Sequence, residues 1–253
     1  MEIAAHIDAL RAEGERMVVA VADADPDGGV PSCPEWTVRE LVRHLGGIHR
    51  WATGFVATGR TEPSHADLGE VVGSWPADDD LARWLGQGCA DLVAALEAAP
   101  DDLQCWTFLA APSPRAMWAR RQAHETAMHR VDMQQAVGAA VAPLEAAFAA
   151  DGVDELLQLF VPRRSTKLRA DPPTTLAVGC TDVDASWLLR LDTDGVQTTP
   201  APRGDEGADC TVRGTSCALS LALWNRSGAE HLTVEGDHAV LDQFSEGVRI
   251  RWS

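Results

Sequence analysis

The sequence predicts a helical bundle of four main helices followed by a small α+β domain. Three observations carry that reading. Long apolar stripes at helical spacing run through the first ~160 residues. Two helix-start signals, Thr37-Val38-Arg39-Glu40 and Ser113-Pro114, open the segments that later matter chemically. After Asp171-Pro172-Pro173 the texture changes to short β-rich runs separated by turns. At 253 residues the chain is long enough for two domains, expected over 1–165 and 174–253.

The first helix is expected over 3–22, where Asp23-Ala24-Asp25-Pro26-Asp27-Gly28-Gly29 stops it. Thr37 and Glu40 have the spacing of a capping box, and Val38, Leu41, Leu45, Ile48, Ala52 and Phe55 then form one apolar stripe, so a second helix is expected over 38–58. A third is expected over 78–98: Asp78-Asp79-Asp80 suits its positive N-terminal end, and Leu81, Trp84, Leu85, Leu92 and Leu96 mark its buried face. Ser113-Pro114 opens a fourth, reaching about residue 137, and a shorter helix is expected over 153–160. In the second domain, strands are expected at 175–178, 186–191 and 210–212, a hairpin turn at Asp194-Gly195, and helices at 216–225 and 238–245.

The formal charge of −17, with Lys167 the single lysine, gives an acidic surface that repels phosphate backbones and argues against a nucleic-acid partner. The six cysteines form no C-x-x-C pair or compact framework. The start of the chain lacks the basic and apolar runs of a secretory signal, and no stretch has the length and apolarity of a membrane span. A cytoplasmic protein with no membrane partner is the expectation.

The segment Trp118-Ala119-Arg120-Arg121-Gln122-Ala123-His124-Glu125-Thr126-Ala127-Met128-His129-Arg130-Val131-Asp132 carries the chemistry. Glu125 and His129 lie about 40° apart on one helical face, one turn from each other, and can share a metal ion. An ordinary helical ion pair with Arg121, four residues before Glu125, is the plainer reading of that carboxylate. His124 and His129 are about 140° apart and cannot both face one ion, so this is not the H-E-x-x-H motif. A third ligand must come from elsewhere. The second helix offers His44 and His49; with Leu41 as zero they fall at about −60° and +80°, both flanking the buried face. Periodicity leaves the choice open.

Pro34-Glu35-Trp36-Thr37-Val38-Arg39-Glu40-Leu41-Val42-Arg43-His44-Leu45, read together with His124-Glu125-Thr126-Ala127-Met128-His129-Arg130-Val131-Asp132, resembles the mycothiol-dependent maleylpyruvate isomerase family of the DinB-like metalloenzyme superfamily. The runs Asp209-Cys210-Thr211-Val212-Arg213-Gly214-Thr215, Leu219-Ser220-Leu221-Ala222-Leu223-Trp224-Asn225-Arg226 and Leu232-Thr233-Val234-Glu235-Gly236-Asp237 resemble its C-terminal companion domain. The resemblance implies a DinB-like four-helix bundle holding a divalent metal ion, usually zinc, on His44, Glu125 and His129, with His49 the fallback for His44. It also implies mycothiol, the small thiol of actinobacteria, as cosubstrate, and an isomerase or S-transferase acting on a small electrophile.

Two imidazoles and one carboxylate suit a borderline divalent ion and leave positions for an exogenous ligand. Arg213 and Arg226 are candidates for binding a substrate carboxylate, with a surface or domain-interface role the plainer reading. Asp132 falls within about 20° of Glu125 and can orient a histidine ligand or pair with an arginine. Trp36, Trp51 and Trp118 are expected to pack the bundle or wall a pocket. Cys33 is expected not to be the nucleophile, since the sulfur is imported. The alternative from another class is a non-catalytic metal-binding protein or regulator on the same fold.

Overall fold

The computed structural model describes residues 1–163, 166–201 and 207–248. The chain divides into two compact units, Met1–Ala142 and Pro143–Ser253. No helix among the described residues is long and apolar enough to cross a membrane.

The first unit is built on four long helices, α1 (Ile3–Ala22), α2 (Val38–Thr58), α4 (Leu81–Ala98) and α5 (Pro114–Ala136), with a short α3 (Leu68–Val72) in the connection after α2. α1 packs on α4 and α5, and α2 packs on the same two helices, so α1 and α2 occupy opposite corners of the bundle. The capping box forms: the Thr37 hydroxyl accepts from Glu40 N–H while the Glu40 carboxylate accepts from Thr37 N–H. At its far end α2 stops at Gly59, whose φ of 65° is the left-handed conformation that glycine adopts without strain. Ser113 caps α5 by accepting from Ala116 N–H, with Pro114 in the first turn. Asp78–Asp80 forms a separate 3₁₀ turn ahead of α4. Met17, Leu41, Leu45, Leu85 and Met133 lie at the centre of one apolar cluster.

Between α1 and α2 the chain makes a small antiparallel hairpin, β1 (Gly29–Val30) with β2 (Cys33–Thr37), which the sequence patterning did not indicate. Its strands are short and Pro34 interrupts any alternation. The hairpin is held by what it packs against: Val30 joins the bundle core, and Ser32 reaches α5.

In the second unit, α6 (Ala146–Glu155) continues through a wider π turn, Leu156–Phe160. Among the described residues five strands follow in the spatial order β5-β4-β3-β6-β7: β3 (Thr174–Cys180), β4 (Ser186–Leu191), β5 (Val196–Pro200), β6 (Cys210–Gly214) and β7 (Thr233–Gly236). Of these described strands only β3 and β6 pair in parallel. α7 (Ser216–Leu223) packs on α6, and α8 (His238–Gly247) packs on β3 and β6.

The division at Ala142/Pro143 lies well before Asp171-Pro172-Pro173, where the sequence placed it, and α6 starts earlier than residue 153. The cause is packing. α6 covers α7, Asp154 accepts the indole N–H of Trp187 on β4 at 2.9 Å, and Trp224 donates to Gly152 O at 3.4 Å, so the helix belongs with the sheet. The expected domain limits at 165 and 253 fall outside the described residues.

The α2–α4 contact has no room for a side chain at Gly46, where an added Cβ would collide with the six-membered ring of Trp84. Arg50 lies over that indole at 3.9 Å and donates to Gly46 O and Trp84 O, both at 2.9 Å, which prevents the ring from yielding. Gly54, on the same helix, has open space around it. Gly46→Ala is therefore expected to destabilise by about 1–3 kcal/mol, and Gly54→Ala to stabilise by about 0.4–1 kcal/mol, as measured by denaturant unfolding.

Candidate metal centre

α5 is buried from Met117 to Met133 on nearly all sides, and it carries Arg121, Glu125, His129, Arg130 and Asp132 into that interior. Buried charges are costly unless paired. Here each finds a partner. Arg121 Nη2 donates to Glu125 Oε2 at 2.8 Å, His129 Nδ1 bonds Asp132 Oδ2 at 2.9 Å, and Arg130 Nε donates to Glu13 Oε2 at 2.7 Å. The sequence-expected pair therefore stands on one face as the helical spacing requires, with His129 Nε2 3.1 Å from Glu125 Oε1.

His44 on α2 faces this pair. Its Nε2 lies 3.6 Å from Glu125 Oε1, too long for a hydrogen bond, and that buried nitrogen has no hydrogen-bond partner. Its ring meets the His129 ring edge-on at 5.2 Å. One ligand atom from each of His44, Glu125 and His129 lies within 4.8 Å of the others. His49, the fallback, points elsewhere: it is fully buried, and its Nε2 bonds Thr126 Oγ1 at 2.9 Å.

Burial works against the Glu125 carboxylate, but the Arg121 guanidinium and the hydrogen bond with His129 outweigh it and hold the group well below the usual carboxylate range. Burial likewise disfavours imidazolium at His129, yet the hydrogen bonds to Asp132 and then Glu125 raise it to about 9. Both ring nitrogens of His129 thus face carboxylate oxygens, and a proton on Nε2 occupies the side where a cation would bind. At His44 burial dominates, pushing its pKa down and favouring the neutral ring whose nitrogen can ligate.

These residues fit a divalent ion by three observations: an unpartnered buried imidazole nitrogen, an anionic oxygen beside it, and a second imidazole whose far nitrogen is already engaged. Glu125 Oε2 is taken by Arg121, leaving Oε1 as the atom turned toward both histidines.

Trp36 forms part of the surround, with its ring 4.7 Å from that of His44 and 6.2 Å from that of His129. Trp51 and Trp118 belong instead to an aromatic cluster with Phe55, Trp106 and Phe108. Cys33 packs half-buried against the bundle core, and none of the six cysteines is in a disulfide. In the second unit, Arg213 pairs with Glu235 at 3.3 Å on an exposed edge, and Arg226 donates to Trp224 O at 2.7 Å. Sequence reasoning did not find Ser32, whose hydroxyl donates to Asp132 Oδ1 at 2.5 Å from a position 100 residues away. No local pattern encodes such a contact.

Burial pushes the His49 pKa from 6.5 down to about 3. Below pH 6.5 the unfolded chain therefore takes up a proton here that the folded chain refuses, and stability falls as pH drops from about 6.5 toward 3. His49→Gln removes this contribution. The stability difference between parent and variant, measured by urea unfolding, is expected to narrow by about 2 kcal/mol from pH 7 to pH 5. A gap that stays constant contradicts the assignment.

Two family models match the chain. The mycothiol maleylpyruvate isomerase N-terminal domain matches residues 7–134, and the C-terminal domain of the same family matches residues 147–243. Among solved structures, the mycothiol-dependent maleylpyruvate isomerase is 17% identical, with a TM-score of 0.62 and 93% of each chain covered. A point mutant of that enzyme aligns at 15% identity with the same TM-score and coverage. A search of curated proteins finds no match to the sequence. The matched domains account for both units and for the helices that bring His44, Glu125 and His129 together: the chain belongs to the mycothiol maleylpyruvate isomerase family.

Proposed function

We propose that this chain is a metal-dependent enzyme that uses a low-molecular-weight thiol, mycothiol by family, to isomerise or S-transfer to a small electrophilic substrate. The observation that carries the reading is the convergence of His44, Glu125 and His129, with an unpartnered imidazole nitrogen at its centre, in a member of this family. The mycothiol-dependent maleylpyruvate isomerase shares the fold, which supports the thiol and the isomerase class.

His44 Nε2, Glu125 Oε1 and His129 Nε2 would hold the ion, and zinc suits this donor set. Such an ion supplies positive charge that favours the deprotonated form of an incoming thiol at neutral pH. The protein's own residues prepare the site for it. Arg121 fixes Glu125 in one orientation and keeps it anionic. Trp36 sets an aromatic ring beside those of His44 and His129, at 4.7 and 6.2 Å. In isomerisation the thiolate sulfur bonds to one carbon of a conjugated double bond, whose π electrons move onto the adjoining conjugated group. Rotation about the resulting single bond and loss of the same thiolate restore the double bond in its new geometry. In S-transfer the new carbon–sulfur bond is retained, and a proton is taken up or a leaving group departs.

His44→Ala and His129→Ala are each expected to abolish stoichiometric zinc binding and to lower thiol-dependent turnover by about a hundredfold or more, whereas Cys33→Ala leaves turnover within about twofold. Metal content, thiol binding by calorimetry and thiol consumption with a panel of conjugated electrophiles check this together. Metal-loaded protein that neither binds mycothiol nor consumes any thiol would place the chain among non-catalytic metal-binding proteins.

A further inference from the structure

We propose that Asp132 and Ser32 are positioning residues for the metal centre, so that the hairpin before α2 is a working part of the site; this rests on the metal-site reading above. His129 donates from Nδ1 to Asp132 Oδ2 at 2.9 Å, which commits Nε2 to the side facing Glu125 and His44. Asp132 is itself fully buried, and its other oxygen accepts from Ser32 Oγ at 2.5 Å. The carboxylate is therefore held from both sides, by a histidine one turn back on its own helix and by a hydroxyl from the hairpin.

The arrangement does two things. It fixes the imidazole tautomer, since a hydrogen on Nδ1 leaves the Nε2 lone pair available for a cation. It also makes the ring a stronger donor, because an anionic acceptor increases electron density on the far nitrogen; loss of such outer partners typically weakens metal binding by about 10–100-fold. The hairpin that places Ser32 against Asp132 also places Trp36, four residues on, against the rings of His44 and His129. One short element thus both braces a ligand and sets an aromatic ring beside the pair of histidines.

The experiment is a zinc titration of the full-length, metal-free protein in competition with a chromophoric chelator, repeated with cobalt to record its d–d absorption. The parent protein is compared with Asp132→Asn, Asp132→Glu and Ser32→Ala, each checked for folding by circular dichroism. Asp132→Asn is expected to weaken zinc binding about 10–100-fold and to shift the cobalt bands. Asp132→Glu, which keeps the anionic acceptor, recovers part of the loss, and Ser32→Ala costs a few-fold. If folded Asp132→Asn binds zinc within about twofold of the parent, with an unchanged cobalt spectrum, the positioning role is wrong. If Asp132→Asn does not fold, Asp132→Glu and Ser32→Ala decide: parent-like affinity and spectra in both overturn the proposal. Failure of the parent itself to bind either metal overturns the metal-site reading instead.

Discussion

The structure of the first unit depends on a set of buried charges along α5 that cannot be left unpaired. A helix with Arg121, Glu125, His129, Arg130 and Asp132 in its buried stretch is a poor choice for stability alone, because apolar side chains of similar volume would fill the same space without desolvating ions. The ions are tolerated because they satisfy one another at hydrogen-bond distance, from Arg121 through Glu125 and His129 to Asp132, with Glu13 on α1 holding Arg130. The bundle thereby holds a carboxylate and an imidazole in fixed orientations inside a protein interior. His44 is the exception: its Nε2 faces the cluster without a bond of its own.

Much of this was legible in the sequence where local rules decide. The capping box at Thr37 and Glu40 set the start of α2, and Ser113-Pro114 set the start of α5, because both signals act within one turn. The i, i+4 relation of Glu125 and His129 follows from helix geometry, and the structure keeps it. Helical periodicity could not choose between His44 and His49. Both flank the buried face, and the outcome depends on how α2 is rotated against α5, a tertiary quantity. The family resemblance selected His44, which the structure turns toward Glu125, while His49 is committed to Thr126.

The rest was hidden for identifiable reasons. The hairpin before α2 has too few residues for a strand pattern and contains Pro34; it takes its shape from contacts with α5 and the core. α6 was expected to start later because an Ala-rich run has no periodic face, and its cap is Glu145, whose carboxylate accepts from Ala147 and Phe148 N–H. The prolines at 172 and 173 resemble a linker, but they lead directly into β3, and the unit they were expected to begin already includes α6. Arg213 and Arg226, candidates for substrate binding, have protein partners in the second unit.

The central claim is that His44, Glu125 and His129 hold one divalent ion with room for a thiol. X-ray absorption at the zinc edge of the loaded protein tests it most directly. The account predicts two imidazole nitrogens and one carboxylate oxygen at about 2.0–2.2 Å with no sulfur, and one added sulfur at about 2.3 Å when mycothiol is supplied. A first shell containing protein sulfur before the thiol is added, or one unchanged after it, would contradict the account.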